Sequence, residues 1–246
     1  MKETRLMMGM PITIEIVGAP EGSADPAFDF FAWVDATFSP YRADSEVSQI
    51  NDGRLTEATA SEPMRRILAL AEQTREETGG YFDVHHLGRL DPSGLVKGWA
   101  ILNAANLLRA SGHANVCVEA GGDLQVYGRG PEGGPWQIGI RHPGQPREIV
   151  RVLALTDCGI ATSGTAFRGA HVYNPLCGDT PGDEIISLTV VGPDVYEADR
   201  FATAAFAMGP RGAAFVASLP GFEAYQIDRA GVVTYTPGLE RAFVSC

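Results

Sequence analysis

Leu90-Asp91-Pro92-Ser93-Gly94-Leu95-Val96-Lys97-Gly98 reads as the opening of a helix. Asp91 has the short acceptor side chain of an N-cap. Pro92 suits the first helical position, where its missing N–H would be unpaired anyway. Trp99, Leu102, Ala105 and Leu108 then recur at helical spacing until Gly112 ends the run. Unpaired N–H groups and the positive end of the helix dipole make such a helix start attractive to anions. Ser93 and Gly94 let a ligand approach the backbone, and Lys97 stands one turn in, where an ammonium can meet a phosphate. The same residues also describe an ordinary capped helix with a solvated lysine, so the neighbouring segments must decide.

On the N-terminal side, Ile12, Ile14 and Ile16 alternate within Met8 to Val17 and predict a strand with one buried face. A helix follows Asp25-Pro26, with Phe28, Phe31, Val34 and Phe38 on one side. Phe38 to Asn51 reads as a polar loop with aromatic anchors. A second helix runs from about Ser61-Glu62-Pro63 to Gly79-Gly80 and leads into Tyr81-Phe82-Asp83 and His85-His86. Adjacent histidines on a strand face opposite ways, which makes them a poor metal pair.

On the C-terminal side, strands are expected at 114–119, 123–128, 136–141, 149–155 and 158–162, with Gly121-Gly122-Asp123 as a tight link. A polar segment, Thr162 to Gly178, carries His171. A strand at 185–191, a helix at 195–208, another at 211–219 and a hairpin of 222–228 with 232–236 complete the chain. Strands and helices mix without regular βαβ alternation. That predicts an α+β fold with mixed, mostly antiparallel sheets and packed helices, one compact two-lobed domain over residues 1–246.

The 246 residues carry 30 acidic and 19 basic side chains, a net charge of −11, and 45% are hydrophobic. Such a balance argues against a nucleic-acid surface and against attraction to anionic membranes. Cys117, Cys158, Cys177 and Cys246 form no CxxC pair and no zinc spacing, and read as reduced thiols. No basic segment followed by an apolar one opens the sequence, and no apolar run is long enough to span a bilayer. The expectation is a soluble, unexported, cytoplasmic protein. GxGxxG after the first strand, GxxxxGK[ST], GxSxG and HExxH are all absent.

Asp199 and Thr203 are four residues apart on an expected helix, so they share one face beside Ala198, Phe201, Ala202 and Ala205. A carboxylate and a hydroxyl are oxygen ligands of the kind Mg²⁺ takes, with phosphate oxygens and water completing its shell. The rival is a half-exposed aspartate and a threonine bonded to its own helix backbone. His171, between small residues and Asn174-Pro175, could serve as general acid or base near a phosphate, or be a surface loop group.

Taken in order, these segments resemble the ApbE family of flavin transferases. Met8-Gly9 resembles the family's opening Met-Gly, and Phe38 to Asn51 its FS.Y..DSE(I/V)S.IN element. Tyr81-Phe82-Asp83 resembles G.FD, Asp91 to Gly98 resembles DLGGIAKG, and Gly121-Gly122-Asp123 matches GGD. Trp136 to Ile140 with Pro143 resembles W.IGI..P. Thr162-Ser163-Gly164 with His171 and Pro175 resembles TSG…H..DP.TG, and Ala198 to Ala204 resembles ADALATA. Each motif is weak alone; eight in order are specific. The chain departs from the pattern in places. Only Val84 to Leu90 join Asp83 to Asp91, where the family has a longer segment. Asn174 and Ala202 replace acidic residues.

The resemblance implies an ApbE-like, T-fold-like architecture and an enzyme that moves FMN from FAD to a Thr or Ser hydroxyl of a target flavoprotein, releasing AMP. It implies FAD contacts at Met8, Tyr41, Tyr81, Phe82, Asp83, Asp91, Lys97 and His171. It also implies Mg²⁺ at Asp199 and Thr203 with a backbone carbonyl near Gly94, and His171 as the catalytic histidine. Hydrolysis of FAD to FMN and AMP, flavin binding without catalysis, and a plain partner-binding domain remain open alternatives at this stage.

Overall fold

The structure, a computed structural model, describes residues 1–164, 173–177 and 184–244. Its frame is an eight-stranded sheet. The spatial order is β1 (Lys2–Met7), β2 (Met10–Ile16), β5 (Val116–Ala120), β6 (Asp123–Tyr127), β9 (Cys158–Gly164), β10 (Ile185–Gly192), β11 (Glu223–Asp228) and β12 (Val233–Tyr235). Every neighbouring pair is antiparallel. Two short ladders stand outside this sheet: β3 (His85–His86) with β4 (Arg89–Leu90), and β7 (Trp136–His142) with β8 (Gln145–Leu155).

Both faces of the sheet are covered. On one face lie α4 (Ser93–Ala110) and α5 (Val195–Ala207), packed on each other, with α1 (Asp25–Phe38) and α3 (Glu62–Glu77) outside α4. The β7–β8 hairpin covers part of the other face. Strand parity records the split: Val116, Val118 and Ala120 of β5 join the helix-side core, while Cys117 joins Trp136, Ile138 and Leu153 under the hairpin.

The central helix is buried on more than one stripe. Leu95, Val96, Ala100, Ile101, Ala104, Ala105 and Leu108 are all buried. Trp99 meets the rings of Phe30 and Phe38 of α1, each with centroids 5.8 Å away. A helix sandwiched between a sheet and other helices has no solvent face of ordinary width. Its start differs from the sequence expectation by one residue. Pro92 occupies the cap position, and Asp91 still does the capping chemistry, its Oδ1 accepting from Ser93 N–H at 3.0 Å.

β1, α2 and the short β3–β4 ladder escape the sequence pattern. β1 is an edge strand of alternating exposed and partly buried residues, with charges on both sides and no apolar period to mark it. α2 (Glu46–Asn51) lies inside the stretch expected to be a loop; six residues are too few for periodicity, but Ser45 caps it by accepting from Ser48 N–H at 3.1 Å. The other expected strands and helices form, most with ends within a few residues. No helix among the described residues is long and apolar enough to cross a membrane, and Cys117, Cys158 and Cys177 are free thiols.

Candidate functional site

A cavity of about 730 Å³ opens where the first turn of α4, the β5–β6 turn, the end of β9, one edge of β7 and the β3–β4 hairpin converge. Most of the residues singled out by sequence line it: Tyr41, Tyr81, Phe82, Asp83, Asp91, Gly94, Lys97, Asp199 and Thr203. Met8 does not line it. That residue closes the β1–β2 turn with φ of 52° and packs against the helix-side core. His171 lies outside the described residues; Gly164 and Tyr173, on either side of it in sequence, both line the cavity.

Three charged groups meet at the floor. The Lys97 ammonium contacts Asp123 Oδ2 and lies 3.3 Å from Asp199 Oδ1. Asp123 is wholly buried and Asp199 is 2% exposed. Asp123 Oδ1 accepts from Thr162 N–H at 2.9 Å. Asp123 Oδ2 faces the ammonium as a charge contact, and no aligned donor reaches it among the described residues. Asp199 Oδ2 accepts from Gly98 N–H at 2.8 Å. In a regular helix that amide serves the carbonyl four residues back, which is Gly94's; Asp199 draws on the same donor.

The close approach of α4 and α5 makes this possible. A Cβ on Gly98 would stand 2.7 Å from Asp199 Cβ, so only glycine lets the carboxylate reach the helix backbone. Gly94 faces the next turn of α5, where a Cβ would lie 3.6 Å from Thr203 Cγ2 and 3.8 Å from its Oγ1. The four-residue spacing of Asp199 and Thr203 therefore aims both side chains at the first turns of α4.

Burial pushes the Asp199 carboxyl up from its ordinary value of 3.8 to about 7; the Asp123 charge adds to the shift, and Lys97 and the Gly98 amide oppose it. The sign for stability follows from linkage. A raised carboxyl holds its proton in the folded chain after the unfolded chain has released it. This group's contribution is therefore constant below about 3.8, becomes unfavourable as pH rises through the window to about 7, and is fully lost above it. Urea unfolding at a series of pH values should show parent stability falling across that window relative to Asp199→Asn. Parallel curves for the two proteins would refute the shift.

The donor set suits a hard divalent cation. Once Asp199 is ionised, two buried carboxylates face one ammonium, leaving net negative charge in a site of low exposure. The available groups are carboxylate, hydroxyl and carbonyl oxygens, the ligand type of Mg²⁺. No cluster of three or more His, Cys, Asp or Glu suited to a metal occurs among the described residues. A cation here would thus depend on Asp199, Thr203 and the Gly94 carbonyl, with the rest of its shell from substrate and water.

The walls are tied down separately. Asn51 brackets Leu90, donating to its carbonyl at 2.9 Å and accepting from its N–H at 2.7 Å. The Tyr173 hydroxyl donates to the Asp83 carbonyl at 2.8 Å, and its ring lies 3.7 Å from that of His86. Arg211 donates to the Tyr81 hydroxyl. His85 bonds Glu57 at 2.9 Å, so the two adjacent histidines serve different partners. Sequence reasoning noted the Gly-Gly-Asp turn but missed the Asp123 carboxylate, and gave no role to Asn51, Tyr173 or Arg211.

Comparison with known proteins agrees with this architecture. The model of the ApbE family matches residues 8–88 and 84–226. FAD:protein FMN transferase of Vibrio cholerae is 31% identical over 129 residues, which is 49% of this chain and 39% of the relative. The Haemophilus influenzae protein of the same name is 32% identical over 157 residues, 59% of this chain and 45% of the relative. The aligned part thus spans less than half the length of these curated relatives. Among solved structures, the flavin transferase ApbE from Vibrio cholerae superposes with a TM-score of 0.85 at 21% identity, covering 98% of each chain. The apo flavinyl transferase ApbE of Pseudomonas stutzeri gives 0.82 at 21%, covering 99% of this chain and 97% of that one.

Proposed function

This chain belongs to the ApbE family, and from that premise we propose that it is a flavin transferase, taking FMN from FAD and joining it to a Thr or Ser hydroxyl of an acceptor flavoprotein. The observation that carries the reading is the cluster of Lys97, Asp123 and Asp199 at the floor of a cavity large enough for a dinucleotide. Charged groups this deeply buried belong to a site more often than to a core. The start of α4 turns the positive end of its helix dipole toward the cavity, which favours the pyrophosphate. Tyr41, Tyr81, Phe82, Asp83, Asp91 and Lys97 supply the contacts along the dinucleotide, with aromatic faces for its rings.

In this reading the acceptor oxygen attacks the phosphorus of the FMN half. The bond from that phosphorus to the AMP oxygen breaks, AMP departs, and the acceptor hydroxyl gives up its proton. We assign the proton to His171 on the strength of the family resemblance. Asp199, Thr203 and the Gly94 carbonyl would hold Mg²⁺. That ion, when bound, supplies charge stabilisation to the pyrophosphate and its leaving group.

Incubation with FAD, MgCl₂ and an apo-flavoprotein acceptor tests the proposal. Covalent flavin on the acceptor with stoichiometric AMP supports it, free FMN with AMP indicates a pyrophosphatase, and no AMP at all sinks both. In the same assay His171→Asn, which hydrogen-bonds but cannot act as a base, should lower turnover on the order of 10²-fold with FAD affinity nearly unchanged. Parent-like turnover in that variant removes the base role.

A further inference from the structure

Lys97 lies between two carboxylates, yet they hold it differently. Asp123 is fixed by the sheet, since Oδ1 accepts from the neighbouring strand's Thr162 N–H, and Oδ2 turns to the ammonium with no aligned donor of its own among the described residues. Asp199 is fixed by the helices, with Oδ2 on Gly98 N–H and Oδ1 3.3 Å from the ammonium. The lysine side chain is only 17% exposed, so its charge has little water to turn to. The ammonium therefore sits nearer Asp123 while still neutralising Asp199.

A divalent cation on Asp199 would face that ammonium across a few ångströms of poorly solvated space, where repulsion between like charges is strong. The lysine must then be drawn away from Asp199. Asp123, held on β6 rather than on Asp199's helix, is already in contact with the ammonium.

We propose that Lys97 is the resident cation of Asp199 and that Asp123 is a positioning residue, a berth that keeps the ammonium when a divalent cation takes Asp199. This rests on the reading of Asp199 as a metal ligand, and it concerns binding rather than transfer. Ammonium and metal are then alternative partners of one carboxylate. Asp123 acts on the metal through the lysine, not by its own charge.

Calorimetric titration with MgCl₂ alone, without flavin, tests this on four proteins. Lys97→Met should bind Mg²⁺ about tenfold more tightly than the parent, and Asp123→Asn about tenfold more weakly. In the Lys97→Met background, Asp123→Asn should cost less than about threefold, because the berth has nothing to hold. Melting curves provide the second readout: Lys97→Met should melt below the parent without metal, and MgCl₂ should close the gap. Equal or weaker Mg²⁺ binding by Lys97→Met overturns the competition. An equal cost of Asp123→Asn in both backgrounds overturns the berth, since the carboxylate would then act directly on the metal. Absence of Mg²⁺ binding in all four proteins sinks the metal assignment as well, whereas the flavin assay above judges transfer independently.

Discussion

Asp199→Ala is expected to lose metal-dependent flavin transfer, with turnover down on the order of 10³-fold, in a protein that stays folded. The carboxylate is the one acidic group on α5 that reaches the cavity floor, and Thr203 and a carbonyl cannot replace its charge. Stability should suffer little. The substitution leaves the Gly98 amide without its side-chain acceptor, but it also removes a buried carboxylate whose ionised form is disfavoured by burial. The lysine keeps Asp123 as its counter-ion. Asn at the same position retains an acceptor for Gly98 N–H without the charge, so it separates geometry from electrostatics. Steady-state rates across a range of MgCl₂ concentrations, with melting curves as the control for folding, decide the matter. An Asp199→Ala protein that turns over at the parental rate with the parental Mg²⁺ dependence would remove this residue from the site.

Much of this arrangement is legible before any coordinates. The Asp199–Thr203 spacing, the capped start of α4 and the Tyr81-Phe82-Asp83 run are local patterns, and local patterns survive folding because helix geometry fixes what lies four residues apart. What sequence misses is what the tertiary contacts decide. In β6, Asp123 and Gln125 alternate with Leu124 and Val126, which by the usual rule puts the polar pair toward solvent. The sheet is covered on both faces, so that side is as dry as the other. Asp123 meets Lys97 there, and Gln125 Oε1 accepts from Val195 N–H at the start of α5 at 2.9 Å. Alternation revealed the two faces but not which of them met water.

The same limit explains Lys97. Sequence placed its ammonium one turn into a helix whose N-terminus attracts anions, and the position is right. Its partners are carboxylates from β6 and α5, which lie 26 and 102 residues further along the chain. No periodicity links such positions; only the crossing of α4 over the sheet and against α5 does. Asn51 is similar: it belongs to a helix too short to be seen in the pattern, and it clamps Leu90 from 39 residues away.

The crossing itself hangs on Gly98, and Gly98→Ala is expected to be the most disruptive small substitution at the site. On an isolated helix the change would help, since alanine exceeds glycine in helix propensity by about 1 kcal/mol. Here the new methyl would lie 2.7 Å from Asp199 Cβ, 2.8 Å from the Val195 carbonyl oxygen and 3.0 Å from Asp199 Oδ2. The Val195 oxygen is backbone and cannot rotate aside, so α4 and α5 must part. Overpacking of this kind costs roughly 1–3 kcal/mol, which outweighs the propensity gain. Parting the helices also stretches the Gly98–Asp199 hydrogen bond, so turnover should fall further than the loss of folded protein explains. Gly94→Ala is the control one turn earlier. Its methyl would meet Phe82 Cε2 at 3.5 Å and Thr203 Cγ2 at 3.6 Å, ordinary contact distances, so its stability should stay within about 1 kcal/mol of the parent. Urea unfolding of both variants measures the difference. Equal stability of the two would mean that the α4–α5 contact yields at Gly98, and the carboxylate would then owe its position to Lys97 and Asp123 rather than to the glycine.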